Sequence, residues 1–436
     1  MLQKLKSLIA LDNPFRLLYH KMRAIAANII YRFPSKDMVI IGVTGTNGKT
    51  TTSNIIAKSL QAAGKKVFMF TTVNIIIGDQ EYTNRSKMTS PDPFHLQKLL
   101  SQAQKSGCEI AVIETASHGI KMHRIWWIEY DISVLTNITQ DHLDLHRTMD
   151  DYVRTKLQIF EKLITYKRKP GIKKTAIINQ SSKYSEMFID QTYDSLYSYG
   201  PLGANLHAQN IVSSIDGTTF DLHIPWKTMR LKTNLIGDFN VENILAATGV
   251  CISLGLDTNV IQNSIEHITT IPGRMDEVEN NLWCKIFIDY AHTPDALEKV
   301  LSNIKALEGL NNIITVFWAT GDRDTSKRPI MGQIVDTYSD KIILTQDDDY
   351  SEDTMSIIKD VLPGINRKQS ENFWVIADRQ QAIRTALVSA QKNDVILLAG
   401  KWDEHTLITN VGPVDYHEKS FVQEVLREIE SNNLVK

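Results

Sequence analysis

Cysteine is scarce in this chain. Cys108, Cys251 and Cys284 are its only three thiols, and no two have the close spacing of a zinc ribbon or a disulfide framework. That fits a reducing compartment, and cytoplasm is the expected location. No apolar run is long enough to span a bilayer, and no segment reads as a cleavable signal peptide. Neither sign of charge dominates: the net charge is −2, so nothing general argues for a nucleic-acid partner and none is expected. Acidic small molecules must then be held by local features. Internal repeats and long low-complexity linkers are also missing. What remains is an ordinary globular composition over 436 residues, enough for two or three domains.

The first 37 residues stand apart. Leu5, Leu8, Ile9, Phe15, Leu17, Leu18, Met22, Ile25, Ile29 and Ile30 recur at roughly helical spacing, interleaved with Lys4, Lys6, Arg16, Lys21, Arg23 and Arg32. Asn13-Pro14 predicts a break between two helices. Two readings stand side by side: a helix pair packed on the next domain, and a basic amphipathic segment lying on a membrane surface at the inner face.

From residue 38 onward strand-like and helix-like stretches alternate. Strands are expected over 38–43, 66–71, 110–114 and 132–136, with a helix over 50–63. After Pro272-Gly273-Arg274 the alternation resumes, with strands over 285–289, 313–318, 341–345, 373–377 and 394–399. The pattern predicts an α/β fold: a central parallel-sheet domain over 38–272 and a second α/β domain over 273–436. Such sheets bind ligands at the carboxyl ends of their strands.

Gly42-Val43-Thr44-Gly45-Thr46-Asn47-Gly48-Lys49-Thr50 follows one predicted strand and opens a helix, the context a phosphate loop requires. Glycines let backbone N–H groups face phosphate oxygens, and the helix N-terminus adds positive potential. Lys49 can reach terminal phosphates and the Thr50 hydroxyl can ligate Mg²⁺. Val43 stands where the strict pattern has glycine. Glu114 ends a predicted strand, where a carboxylate can hold a hard cation. His142 follows another, and Lys156 lies on a predicted helix. Taken singly, these three read equally as a cap, a core histidine and a solvated lysine.

Together the motifs resemble those of the Mur ligase family. The resemblance runs through Gly45 to Thr52, Thr89-Ser90-Pro91-Asp92, Glu114 to His118, Thr136 to Asp144, Tyr152 to Lys156, Gly237 to Asn243, Pro272 to Met275, Asp289 to Asp295, Gly321 to Asp324, Lys327-Arg328-Pro329, Gly400-Lys401 with Glu404, and Pro413 to Glu418. The branch it is most similar to is the muramyl-tripeptide synthetases. The resemblance implies a P-loop-type ATPase domain followed by a Rossmann-like domain, and an ATP-dependent, amide-forming reaction. In that reaction ATP phosphorylates the acceptor carboxylate, an amine attacks the acyl phosphate, and ADP and phosphate leave. It implies ATP contacts from Thr46, Asn47, Gly48, Lys49, Thr50, Thr51, Asn240, Asn243, Arg274, Asp289 and His292. Thr50, Glu114, His142 and Lys156 match the Mg²⁺ site, with Lys156 carrying a CO2-derived carbamyl group. Lys49, Glu114, His142 and Lys156 are the catalytic expectation. Thr89, Ser90, Ser117 and Arg124 fall where the family holds its muramyl-peptide acceptor. A free amino acid is the second substrate, and a monomer is expected.

The chain departs from that family in four places. Only 37 residues precede the first strand, where tripeptide synthetases have a uridine-nucleotide-binding domain. Ala116 and Met122 stand at acceptor positions that are usually polar. The Asp-Asn-Pro-Arg motif of diaminopimelate-adding enzymes reads Asp347-Asp348-Asp349-Tyr350. Loss of the arginine and gain of carboxylates predict L-lysine or another basic donor, with Arg323 on its α-carboxylate and Gly400 and Glu404 beside its amino group; a solvated acidic turn is the plainer reading. Finally, Trp402 replaces a glycine. Competing readings are a ligase acting on a lipid-linked or non-muramyl peptide, of pseudomurein or polyglutamate type, and a non-catalytic nucleotide-binding regulator. The regulator would have no need of Lys156, Arg274 or Arg323.

Overall fold

Runs such as Val39-Ile40-Ile41 and Ile110-Ala111-Val112-Ile113 lack the alternation of a half-exposed strand, because both faces of the sheet they enter are covered. In the computed structural model, which describes residues 13–86, 88–141, 143–401 and 406–431, they form the centre of a large sheet. Its strands are β1 (Val39–Thr44), β2 (Val67–Phe70), β3 (Asn74–Ile77), β4 (Gln80–Thr83), β5 (Ile110–Glu114), β6 (Ile132–Leu135), β7 (Thr175–Asn179), β8 (Ser195–Gly200), β9 (Leu206–Ser214), β10 (Gly217–Ile224) and β11 (Lys227–Thr233). They lie in the order β11-β10-β9-β8-β7-β6-β1-β5-β2-β3-β4. From β9 to β2 each neighbouring pair is parallel, and β3 and β4 add an antiparallel edge.

The register matters most at β1. Val43 pairs with Glu114 of β5 on one side and Thr44 with Leu135 of β6 on the other. Three strands therefore end at one level, and whatever follows them shares one rim. Asp131, fully buried, locks the opposite end by accepting from Ile40 N, Lys169 Nζ and Lys174 Nζ. Helices α1 (Pro14–Ile30), α2 (Lys49–Ala62), α3 (Pro93–Lys105), α4 (Met149–Thr165) and α5 (Asp238–Ser253) complete the elements used below. Leu96 and Leu100 of α3 and Ile159, Phe160 and Leu163 of α4 bury against Phe68, Ile113 and Leu135 of the sheet. Each such side chain contributes about 1.5–3 kcal/mol of burial.

One helix, α1, represents the expected pair at the N-terminus; the segment before Asn13 lies outside the described residues. Asn13 is the N-cap of α1, its side chain accepting from Phe15 N, with Pro14 in the first turn.

The second sheet has the order β12-β13-β17-β14-β15-β16, from β12 (Asp276–Glu277), β13 (Lys285–Asp289), β14 (Ile313–Phe317), β15 (Lys341–Leu344), β16 (Phe373–Val375) and β17 (Val395–Ala399). All but β12 run parallel, and apolar clusters cover both faces. The chain divides into two compact units. The first takes residues to Val212 with Thr219–Thr233 and Phe239–Ile268; the second takes Ser213–Thr218, Asn234–Asp238 and Thr269 onward. The two short excursions into the second unit carry no mark in the sequence.

Candidate functional site

The phosphate loop begins where β1 can no longer be extended. Val43 is a buried strand residue paired on both sides, so a glycine there has no role; the turn starts at Gly45. Gly45 has φ +149°, and a Cβ on it would lie 1.9 Å from Thr136 Oγ1. Gly48 has φ +82°, and its Cβ would lie 2.4 Å from Asn243 Oδ1. Both positions need glycine for conformation and for room. The segment leaving β6 clasps the loop: Thr46 N donates to Asn137 O at 2.8 Å, Asn47 N to Asn137 Oδ1 at 2.9 Å, and Thr136 Oγ1 to Asn47 O at 2.6 Å. Thr46 Oγ1 also meets Tyr152 Oη at 3.1 Å. Lys49 Nζ curls back to Thr46 O at 2.7 Å, and Thr51 is buried on the same first turn of α2.

Glu114 sits one strand over and is almost wholly buried. It accepts from Thr50 Oγ1 at 2.9 Å, Thr72 N at 2.9 Å and Thr72 Oγ1 at 3.2 Å. Hard oxygen donors in a buried, anionic setting suit a divalent cation. Thr72 escaped the sequence reading. Its signal is positional: it follows β2, the parallel neighbour of β5, at the same rim.

Lys156 of α4 reaches the loop from the other side. Its Nζ donates to Gly45 O at 2.7 Å, lies 4.5 Å from the Tyr152 ring centre, and is 1% exposed as a residue. Burial, reinforced by Lys49, holds its pKa well below the usual lysine range, against the pull of Asp141 and Glu114. The plain reading of a solvated helix lysine is thereby corrected. Of the four expected metal-site residues, Thr50 and Glu114 touch and Lys156 lies within electrostatic reach of Glu114. His142 lies outside the described residues. Among the described residues no group of three His, Cys, Asp or Glu side chains forms a metal cluster. Asn240 and Asn243 occupy the start of α5, where Asn243 Nδ2 donates to Asn240 Oδ1 and Thr52 Oγ1 donates to Asn243 Oδ1.

The acceptor stretch packs beside this rim. Thr89 Oγ1 meets Thr72 Oγ1 at 2.7 Å, Ser90 Oγ accepts from Ala116 N, and Arg124 Nη1 donates to Ser90 O at 2.9 Å. Ser117 is buried, with no hydrogen-bond partner for its Oγ among the described residues. Met122 is buried in the core.

His146 was not anticipated. It is 1% exposed, packs on Tyr152 with ring centres 5.1 Å apart, and has a pKa lowered to about 4, chiefly by burial and then by Lys121. The folded chain thus binds fewer protons here than the unfolded one, whose histidine keeps 6.5. Stability from this group is complete above pH 6.5 and is lost as pH falls toward 4. Urea unfolding across that window should show the first unit losing about 1–2 kcal/mol, and His146→Gln should flatten the slope. An unchanged slope in the variant would remove His146 as its source.

In the second unit the carboxyl ends of four strands carry the expected residues. Asp289 ends β13 and accepts from Met275 N at 2.7 Å and Ala291 N at 2.8 Å; burial raises its pKa and Arg274 opposes the rise. The Arg274 guanidinium stands 5.0 Å from the Tyr290 ring, and the His292 ring lies tilted against the same tyrosine with centres 4.4 Å apart. Gly400 N donates to Asp289 O, and a Cβ on Gly400 would meet Trp318 Nε1 at 1.9 Å. Arg323 is exposed on the loop after β14. That loop is stitched to the turn after β15 by Gly321 N to Asp348 O and by Ser351 Oγ to Asp322. Glu404 and Trp402 lie outside the described residues.

The acidic turn itself needs correction. Asp347, Asp348 and Asp349 are buried, so they are no solvated turn. Lys401, also buried, donates to Asp347 at 2.5 Å and Asp348 at 3.0 Å, and Thr354 donates to Asp349. Two of the three carboxylates read as facing a donor ammonium already face an internal one.

Family models agree with this arrangement. Residues 43–251 match the Mur ligase middle domain, and residues 273–402 match the Mur ligase glutamate ligase domain. A UDP-N-acetylmuramoyl-L-alanyl-D-glutamate–2,6-diaminopimelate ligase of Caldanaerobacter subterraneus is 37% identical, covering 94% of this chain and 82% of its own. A UDP-N-acetylmuramyl-tripeptide synthetase of Roseiflexus is 34% identical, covering 92% and 81%. A solved structure of a UDP-N-acetylmuramoyl-L-alanyl-D-glutamate–2,6-diaminopimelate ligase superposes with a TM-score of 0.64 at 28% identity, over 90% of this chain and 79% of that one. With the phosphate loop, the buried carboxylate beside it and the two α/β units in place, the chain belongs to the Mur ligase family of ATP-dependent, amide-forming enzymes.

Proposed function

We propose that this chain joins L-lysine, or another basic diamino acid such as ornithine, to the carboxylate of a muramyl-dipeptide-type acceptor in peptidoglycan precursor synthesis. The observation that carries the proposal is the meeting of Lys49, Thr50, Glu114 and Lys156 around one phosphate loop. The tripeptide-forming relatives support the acceptor and the diamino donor. Tyr350, in place of the arginine of diaminopimelate-adding enzymes, supports a donor without a second carboxylate. The pairing of Asp347 and Asp348 with Lys401 means that selectivity rests on the missing cation more than on surplus anions.

The loop N–H groups and Lys49 would hold the β- and γ-phosphates and orient the γ-phosphorus toward the acceptor carboxylate. Arg124, Ser90 and Thr89 would fix the acceptor, and Arg323 the α-carboxylate of the donor. Thr50 and Glu114, with His142, would hold Mg²⁺, which supplies charge neutralisation on the phosphates. Lys156 would carry a carbamate, an anion that belongs beside a cation as an ammonium does not. Asn240 and Asn243 in the first unit, and Arg274, Asp289 and His292 in the second, would each be nucleotide contacts. The proposed setting is the cytoplasm, at the inner membrane face, with the chain working as a monomer.

Phosphate release from ATP with UDP-muramyl-L-alanyl-D-glutamate tests this against lysine, ornithine and meso-diaminopimelate. Turnover with lysine or ornithine is expected, at least about tenfold faster than with meso-diaminopimelate. Preference for meso-diaminopimelate would overturn the donor assignment. Silence with every donor, from protein that binds ATP, would move the acceptor to a lipid-linked or non-muramyl peptide.

A further inference from the structure

Helix α1 is amphipathic twice over. One side packs on the first unit: Ala24, Ala27 and Asn28 are buried, Asn28 Nδ2 donates to Trp126 O at 3.0 Å, and Arg23 pairs with Asp92 at 2.7 Å. That is where a helix of a soluble domain ordinarily stops being apolar. Here the outward side is apolar as well. Phe15 is 83% exposed, and Leu18, Tyr19, Met22, Ile29 and Ile30 are each more than half exposed. Their spacing, with Ala26 between Met22 and Ile29, is that of one unbroken stripe along all 17 residues. Scattered exposed apolar residues need no explanation, but a continuous stripe does.

Charge selects the occupant. Between Pro14 and Ile30 there are Arg16, Lys21 and Arg23 and no acidic residue. The first 36 residues hold seven lysines and arginines against one aspartate, in a chain whose net charge is −2, so the rest is acidic. A second copy pairing through the same stripe would bring two segments of like net charge together. An anionic surface with an apolar interior accepts both features at once. We propose that α1 docks the enzyme on an anionic lipid surface, the stripe entering the headgroup–acyl boundary and the basic excess of the segment as a whole drawing it to the lipid phosphates. No helix among the described residues could cross a membrane, so the contact is peripheral.

The placement has a consequence for catalysis. Arg23 bonds Asp92, which N-caps α3 and closes the Thr89–Asp92 stretch, and Arg124 bonds Ser90 in that stretch. Docking through α1 therefore holds the proposed acceptor loop close to the lipid surface, whatever the acceptor carries.

Flotation of the full chain with vesicles tests this without any substrate, so its outcome is independent of the proposed reaction. Vesicles of phosphatidylcholine and phosphatidylglycerol in equal parts should carry the protein upward, and phosphatidylcholine alone should carry about tenfold less. High salt should weaken the binding. Leu18→Gln with Met22→Gln and Ile29→Gln, all solvent-facing, should abolish flotation while leaving the melting temperature and amino-acid-dependent phosphate release in solution unchanged. No flotation of the native chain on anionic vesicles would overturn the proposal. So would equal flotation of the triple variant, or conversion of a native dimer to monomer by that variant in sedimentation velocity.

Discussion

Lys156→Met protein should fold as the native chain does and form product on the order of 10²–10³-fold more slowly. Fold and rate separate because of what surrounds the amine. Lys156 is buried, its Nζ donates to Gly45 O, and its ammonium form is disfavoured by burial and by Lys49. Replacing it with an apolar side chain of similar length removes a desolvated amine, which costs little or nothing in stability. The same environment lowers the pKa of the amine. In the proposed reaction the amine would attack CO2, forming an N–C bond and releasing one proton, and the carbamate would supply an anion beside the cation expected at Thr50 and Glu114. Labelled bicarbonate should give a carbamate carbon signal in the native chain that Lys156→Met lacks. Native activity should fall when CO2 is stripped and return with bicarbonate, while the residual activity of the variant ignores both. A purely structural lysine would move neither the signal nor the bicarbonate dependence. Full activity in Lys156→Met would remove the residue from the chemistry altogether.

That the amine could be placed in advance, and that Lys401 could not, shows where sequence stops informing. The phosphate loop is legible because glycine at 45 and 48 answers to backbone geometry and close contacts, which leave a trace in residue type. The buried strands are legible because a sheet covered on both faces demands continuous apolar runs. The polar strands β9, β10 and β11 passed unnoticed, although β10 and β11 alternate buried and exposed residues along their length. Alternation there was masked by threonines, lysines and histidines at both phases. The acidic turn misled for a different reason. Three consecutive aspartates look solvated or ligand-facing when read along the chain. The partner of Asp347 and Asp348 is more than fifty positions away and arrives only because β15 and β17 flank β14 in a parallel sheet, ending at one level. A long-range ion pair has no local signature.

Lys401→Met should accordingly be the most destabilising single change near the donor corner, at about 3–5 kcal/mol for the second unit. It strands Asp347 and Asp348, both buried, without the cation they share. Isosteric removal of the whole set, Asp347→Asn with Asp348→Asn and Lys401→Met, should recover most of that loss, because what is costly is the uncompensated charge and not the absent bond. The pH dependence has a definite sign. Burial raises the Asp347 pKa to about 7 even with Lys401 and Arg379 pulling it down, so the folded chain holds this proton more tightly than the unfolded one. Its contribution is present at low pH and is lost as pH rises through 7. Without Lys401 the pKa rises further, so the deficit of the variant should be greatest above pH 7 and shrink toward the ordinary carboxylate value of 3.8. Urea unfolding followed through the buried Trp318 beside Gly400 reads this directly. A deficit that is flat with pH, or a triple variant no better than the single, would mean that Lys401 supports the turn by packing. The aspartates would then be available to a donor ammonium after all, and donor preference would have to be argued from their charge and no longer from the missing arginine at Tyr350.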